Sequence, residues 1–330
     1  MRRVVSYVLI GLGVFAIALG LLLRFYAYPR LAKIPLNVDN VSVARGDGVT
    51  SVVIDEVDDV PTPQIRHGLS LTSTTYVSGD LTQPEVVEGG DVAAWVEARR
   101  TVDDESGILV DASLRELCLD RFTGEAVAPC EGQYISKEEG KRVTADAYIV
   151  QQPGLSFKFP FGTEKRTYEY YDTTLEQAIE ARFEGEETLE GVDVYRFVAE
   201  SEPSKVETQE VPGSLVGVDD NSVTVDRYYE ARRTMWVEPA TGVLISVSDE
   251  GRQELLVPGQ SPGEGTTVYE GTMNLDDETV ANNVKQATDN AGRLELLTFW
   301  PVVLWIAGGV FLAAGVLLLI ILSRRRPQSS

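Results

Sequence analysis

Residues 222–229 read Ser-Val-Thr-Val-Asp-Arg-Tyr-Tyr. Val223 and Val225 alternate with Ser222, Thr224 and Asp226, a period of two that belongs to a strand. Alternation, as opposed to a continuous apolar run, marks an antiparallel sheet with one solvated face. Working outward, segments rich in Val, Ile, Thr and aromatic residues, bounded by Gly, Pro, Asp or Asn, recur at 41–44, 50–54, 69–77, 92–102, 108–119, 142–150, 166–171, 192–199, 234–237, 243–247 and 266–269. Strands therefore dominate. Two stretches carry a helical pattern, a short one at 174–183 and a longer one at 277–297. In the second, Asp276, Asp277 and Glu278 open the helix, and Val280, Val284 and Ala287 repeat at helical spacing. Gly292 is its weak point, a hinge or a break, and a continuous helix would instead form a rigid stalk.

The chain ends are of another kind. Residues 4–23 and 296–323 are uncharged apolar runs, and at about 1.5 Å per residue each is long enough as a helix to cross a bilayer core of roughly 30 Å. A cleaved signal peptide is the competing reading of the first. Its apolar run exceeds the usual length, however, and no small-residue cleavage site follows it. Ala16 with Gly20, and Gly309 with Ala313, are small residues four apart that could let two spans touch. Of the 29 basic residues in the chain of 330, six are arginines flanking these runs: Arg2, Arg3, Arg24, Arg324, Arg325 and Arg326. Arg2 and Arg3 precede the first run and Arg324, Arg325 and Arg326 follow the second, which places both termini on the cytoplasmic side. Residues 25–295 then hold 23 basic and 51 acidic residues, a net of −28 within a whole-chain charge of −22. The expected organisation is a cytoplasmic N-terminus (1–3), a transmembrane helix (4–23), an extracytoplasmic β-rich domain (24–276), a juxtamembrane stalk helix (277–295), a second transmembrane helix (296–323) and a cytoplasmic tail (324–330). The fold class is mainly β with α: a large antiparallel sheet, half-barrel or duplicated, between N- and C-terminal helices. The duplicated option comes from an echo between 118–127 and 236–244, each reading strand, acidic residue, two spacers, Thr-Gly, strand.

The charge excludes a general nucleic-acid binder, which neutralises phosphates with a basic face. Phosphate-cradling glycine motifs are missing, so nucleotide binding has no warrant. His67, the one histidine, lies in a polar connecting segment and closes mechanisms that need two imidazoles. No cofactor, metal centre or catalytic residue is expected, and the chain reads as a non-enzyme; Asp219 and Asp220 are weak calcium candidates, alongside the polar turn Asp58-Asp59. Cys118 and Cys130 lie six residues either side of Gly124, so a hairpin at Thr123-Gly124 could set them opposite one another within disulfide range. Two unrelated buried thiols are the alternative. In LSFKFPFGTEKRTYEYY, residues 155–171, Phe157, Phe159 and Phe161 share one face of an extended chain, and Tyr168, Tyr170 and Tyr171 follow a turn. That ladder either lines an apolar groove for a ligand or forms the core of the sheet.

The order of these features, an arginine-led span ending in Tyr28-Pro29, the Cys118–Cys130 hairpin, Gly191-Val-Asp-Val-Tyr-Arg-Phe197, Trp236-Val-Glu-Pro-Ala-Thr-Gly242 and a second span closed by arginines, resembles an actinobacterial family of two-span membrane proteins often labelled porin PorA. The resemblance implies a role in the cell envelope of mycolate-type bacteria, with members linked to lipomannan and lipoarabinomannan maturation. The expected function is therefore binding or transfer of a lipid or lipoglycan intermediate by the β domain, with membrane lipids or lipoglycan as partners. A scaffold for envelope enzymes such as glycosyltransferases is the alternative, and a carboxylate-dependent glycan-processing enzyme the third. A membrane barrel needs an apolar outer band, and this acidic sheet offers none.

Overall fold

The alternation at 222–229 extends to a strand of 15 residues in the computed structural model, which describes residues 2–57, 60–131, 133–136 and 151–324. Among the described residues twelve strands form one antiparallel sheet: β1 (Asp39–Val57), β2 (Val60–Gly79), β3 (Val92–Asp103), β4 (Leu109–Asp120), β5 (Tyr134–Ser136), β6 (Tyr168–Asp172), β7 (Gln177–Leu189), β8 (Val192–Glu200), β9 (Ser204–Val211), β10 (Val223–Val237), β11 (Leu244–Leu256) and β12 (Thr266–Leu275). The order is β5-β4-β3-β2-β1-β12-β11-β10-β8-β7-β6, with β9 on β10. First and last strands are thus neighbours, and the sheet grows outward from them in two wings of successive hairpins. The expected strand at 142–150 and the turn Asp58-Asp59 lie outside the described residues. Residues 1–33 with 288–330 form a separate helical unit, and 34–287 form the sheet unit.

The free edges of the two wings are tied together. Ala126 bridges to Leu119 of β4, Glu125 bridges to Leu155, and Leu155 bridges to Tyr170 of β6. The amide of Ala126 donates to Gly154 O (2.9 Å), that of Leu155 to Glu169 O (2.8 Å) and that of Tyr171 to Leu155 O (2.8 Å). A half-barrel is therefore fastened across its opening by the chain around Leu155.

One turn recurs at four hairpins. A carboxylate accepts from backbone amides two and three residues on, and the residue after them takes positive φ: Asp120 with Gly124, Glu238 with Gly242, Asp103 with Gly107 and Asp172 with Glu176. The echo between 118–127 and 236–244 is this local turn chemistry, and it appears also where no Thr-Gly stands. It carries no case for a duplicated chain.

The helical pattern at 174–183 is overturned, because 177–183 is the start of β7. Glu, Gln, Ala and Arg favour a helix there, but Ile179, Ala181 and Phe183 also fall at period two and pair with Tyr170, Tyr168 and Phe197. Burial against aromatic strands outweighs a propensity difference of under about 1 kcal/mol per residue.

Helix α1 (Arg2–Leu22) passes through a π turn (Leu23–Ala27) into α2 (Tyr28–Leu31); α3 (Pro84–Val87) is one turn, and α4 runs unbroken from Asp277 to Arg324 through Gly292 and Pro301. At its start Asp276 accepts from the Thr279 amide, and Val280, Val284 and Ala287 pack on Val194 and Ile245 of the sheet. The helices of the other unit are both long and apolar enough to cross a membrane. They meet antiparallel along small residues seven apart: a Cβ on Gly13 would lie 2.8 Å from Gly308 O, one on Gly315 2.9 Å from Ser6 O, and one on Gly20 3.1 Å from Pro301 O. Gly309 and Ala313, expected at such a contact, face outward instead.

A Cβ on Gly242, at φ +72°, would overlap the carbonyl oxygen of Phe159, whereas one on Gly107, at φ +70°, meets nothing. Gly242→Ala should therefore cost on the order of 3 kcal/mol, and Gly107→Ala only the left-handed backbone strain of about 1 kcal/mol. Thermal unfolding of the two variants checks this; equal losses would mean that Phe159 is not held against the turn.

Candidate functional site

The segment 155–163 runs inside the sheet, between the turns at Gly124 and Gly242. Three of its amides donate to the second hairpin, Phe159 N–H to Gly242 O (2.9 Å), Gly162 N–H to Ala240 O (3.1 Å) and Thr163 N–H to Pro239 O (2.7 Å), and Phe161 N–H donates to Phe122 O of the first (3.5 Å). Phe157 packs on Trp95 of β3, with ring centroids 5.4 Å apart, and Phe159 on Phe197 of β8 at 4.6 Å. Phe159, Tyr168 and Tyr170 sit together in one buried cluster, Phe157 and Phe161 lie against another, and Tyr171 is 1% exposed. The aromatic ladder is thus shared between the two wings as core, and its phenylalanines do not line one face of a strand.

Beyond this apolar end the interior becomes charged. Arg115 stands directly opposite Glu97, and its Nε and Nη2 donate to the two carboxylate oxygens at 3.0 and 2.9 Å. The guanidinium lies 4.7 Å over Phe157 and also donates to Ser156 Oγ (3.3 Å). On the other wing Arg233 faces Asp249 across the strand pair, donating at 2.9 Å, and lies 5.3 Å over the ring of Tyr170, whose hydroxyl donates to Ser156 O (2.6 Å). Arg99 donates to Asp111 at 3.3 Å. Exposure sorts the three pairs: 8% and 14% for Arg115 and Glu97, 25% and 40% for Arg233 and Asp249, 34% and 50% for Arg99 and Asp111. The interior is dry beside segment 155–163 and wet away from it.

The electrostatics join the wings. Burial by itself would raise the Glu97 carboxyl, but Arg115, then Arg99 and Arg233, hold it below the ordinary value. Burial works against the charge of Arg233, yet Asp249 and its other anionic neighbours keep it well above its usual range. Arg99 feels Asp249 of the far wing as well as its own Asp111. Three arginines thus balance three carboxylates across a partly water-accessible interior, an arrangement suited to screening a small charged or dipolar solute.

Cys118 and Cys130 are bonded, with Cα atoms 5.7 Å apart, but not as opposed strand residues. The turn at Asp120 sets Leu119 against Ala126, so the Cys118 carbonyl accepts from Val127 and Cys130 reaches back from beyond the hairpin. Asp219 and Asp220 are exposed in the loop before β10, and His67, on β2, shares a 2.9 Å hydrogen bond with Thr50. Arg2 and Arg3 begin α1 and Arg324 ends α4, while Arg325 and Arg326 lie outside the described residues. Sequence reading passed over Glu97, Arg99, Arg115 and Arg233. Their signal was parity: each shares the strand face that carries Trp95, Leu117 or Met235.

A family model described as Porin PorA matches residues 5–317. A protein of Corynebacterium amycolatum named Porin PorA is 27% identical over 300 residues, covering 76% of this chain and 77% of that one. Another of that name, from Corynebacterium resistens, is 24% identical over 321 residues, covering 76% of each. These names overturn the expectation of a carrier for a lipid or lipoglycan and give no support to a scaffold for envelope enzymes: the relatives are named for pores.

Removing one partner of the driest pair leaves a buried charge. Arg115→Met should cost about 3–5 kcal/mol, and adding Glu97→Gln should restore more than half of it. Chemical unfolding of the two variants and the double variant measures the coupling; a loss under about 1 kcal/mol for Arg115→Met would contradict a desolvated pair. Because the folded Glu97 carboxyl lies below its ordinary value, its contribution is complete above that value and drains away as pH falls through the folded one. Glu97→Gln should flatten the stability profile in that acid window.

Proposed function

Because this chain belongs to the Porin PorA family, we propose that it is a helix-anchored pore protein of the cell envelope that admits small hydrophilic solutes, cations above all. The family match carries the reading, since it takes in both apolar helices and the whole sheet. The charge of −28 over residues 25–295 supports the ion preference by raising the local concentration of cations. Crossing of the bilayer falls to α1 and α4, as the outward positions of β7 before its bulge are Glu180, Arg182 and Glu184. An arginine on a lipid-facing strand at the bilayer midplane costs about 2–4 kcal/mol. Two helices in contact at Gly13 and Gly308 leave no water path between them, so an open pathway needs more than one copy. In the same reading the chain is a non-enzymatic two-pass protein of the cytoplasmic membrane, with both termini cytoplasmic and residues 24–276 outside.

Full-length protein reconstituted in a planar bilayer should give discrete conductance steps. In a potassium chloride gradient the reversal potential should move toward the potassium equilibrium value. No steps beyond those of lipid alone, or a move toward chloride, would end the proposal. A reporter fused after Ser330 should behave as cytoplasmic; activity on the outer side would reverse the topology.

A further inference from the structure

Lys158 is the one residue of segment 155–163 whose chemistry opposes its position. It is 8% exposed, between aromatic neighbours that fill the apolar end of the interior. Its Nζ has no hydrogen-bond partner among the described residues and lies 3.7 Å over the ring of Phe161. A buried ammonium without an acceptor is among the more costly groups a fold can hold. The surrounding elements do little to offset it. On the second hairpin Glu238 attracts the amine, but its carboxylate is already taken by the Ala240 and Thr241 amides and the Thr241 hydroxyl. On the first hairpin the Asp120 carboxylate is taken by its own turn, Glu125 is exposed, and Arg121 donates to Ile34 O. Arg115, which lies over the preceding Phe157, is committed to Glu97.

Leu155 and Ser156 are tied to the sheet edges and to Tyr170, but from Phe157 onward the segment joins no strand ladder: the amides of Phe159, Gly162 and Thr163 donate to the turn at 239–242, that of Phe161 to Phe122 O, and its rings pack on Trp95, Phe122, Tyr168 and Phe197. We propose that segment 157–163 is a displaceable plug of the sheet interior and that Lys158 is its proton-operated latch, closed while the amine is neutral and released when it takes up a proton. The bound amine is pushed down by burial, and only partly restored by Glu238, from the ordinary 10.5 to about 7. Release exposes it to water and returns the ordinary value, so release and proton uptake are linked. The sign follows: the closed state is most favoured above the released value, loses ground as pH falls toward 7, and is at its least favoured below it.

Hydrogen exchange of the full chain in detergent reads the latch directly at the amides of Phe159, Gly162 and Thr163. After correction for intrinsic exchange, their opening constant should rise roughly thirtyfold between pH 8.5 and 5.5, and Lys158→Met, similar in volume and without a charge, should abolish that rise. A flat wild-type profile, or a rise that survives in K158M, overturns the proposal. Should K158M fail to fold, NMR of lysine labelled at Cε in the wild-type chain decides: one amine titrating near neutral pH supports the latch, and none below the ordinary range refutes it. That the plug closes a solute path rests on the pore reading, whereas the exchange measurement does not, so either can fail alone.

Discussion

A sheet whose first and last strands lie side by side grows outward in both directions and ends in two unpaired edges, each a liability in water. Here both edges depend on one short piece of chain. Leu155 bridges to Glu125 on one side and to Tyr170 on the other, and the eight residues that follow pass through the interior. Phe157 is delivered to the wing of β3 and β4 and Phe159 to that of β6 to β8. Remove that segment and each wing loses both its edge partner and its core. The acidic turns at Asp120 and Glu238 belong to the same arrangement, because both turns back directly onto it: a Cβ on Gly124 would lie 3.2 Å from Lys158 O.

The charge gradient of the interior follows from this packing. Where the aromatic rings exclude water, an arginine survives only with bidentate geometry and a carboxylate directly opposite, as Arg115 has in Glu97. Farther out, Arg233 keeps the same opposed, two-point geometry with Asp249 at higher exposure, and the looser pair of Arg99 with Asp111 is sustained by partial solvation. Lys158 breaks the rule that governs the other cations, lying deep and without a hydrogen-bond partner among the described residues. Local conflicts of this kind concentrate where a structure has two states to choose between.

The antiparallel sheet and the two apolar helices were legible because period and length are read directly from sequence. The aromatic ladder was legible as an object but not as a placement, since irregular backbone sends Phe157 and Phe159 to opposite wings. The disulfide was anticipated from symmetric spacing about Gly124, a spacing that fixes no register; the turn at Asp120 sets Leu119 on Ala126 and leaves the cysteines to meet outside the ladder. Residues 177–183 satisfied two periods at once, and only the partner strands decide between them. Charged residues at inward positions read as solvated surface whenever the strand face is not tracked residue by residue.

The outward face of the sheet and the helix pair constrain each other's roles. Alternation puts Glu180, Arg182 and Glu184 on the side of β7 away from Ala181, so that face is built for water and cannot supply the apolar band of a membrane barrel. The helices carry the opposite property: apolar side chains outward and small residues at Gly13, Gly20, Gly308 and Gly315 in the seam. Backbones in contact there gain packing that lipid cannot match, since lipid tails are as apolar as the side chains they would replace. On the pore reading proposed above, the tasks would be divided between helices that suit the bilayer and an acidic sheet that gathers cations near it. In that proposal the polar interior of the sheet would be an aqueous compartment of its own, and segment 157–163 would stand where that compartment opens.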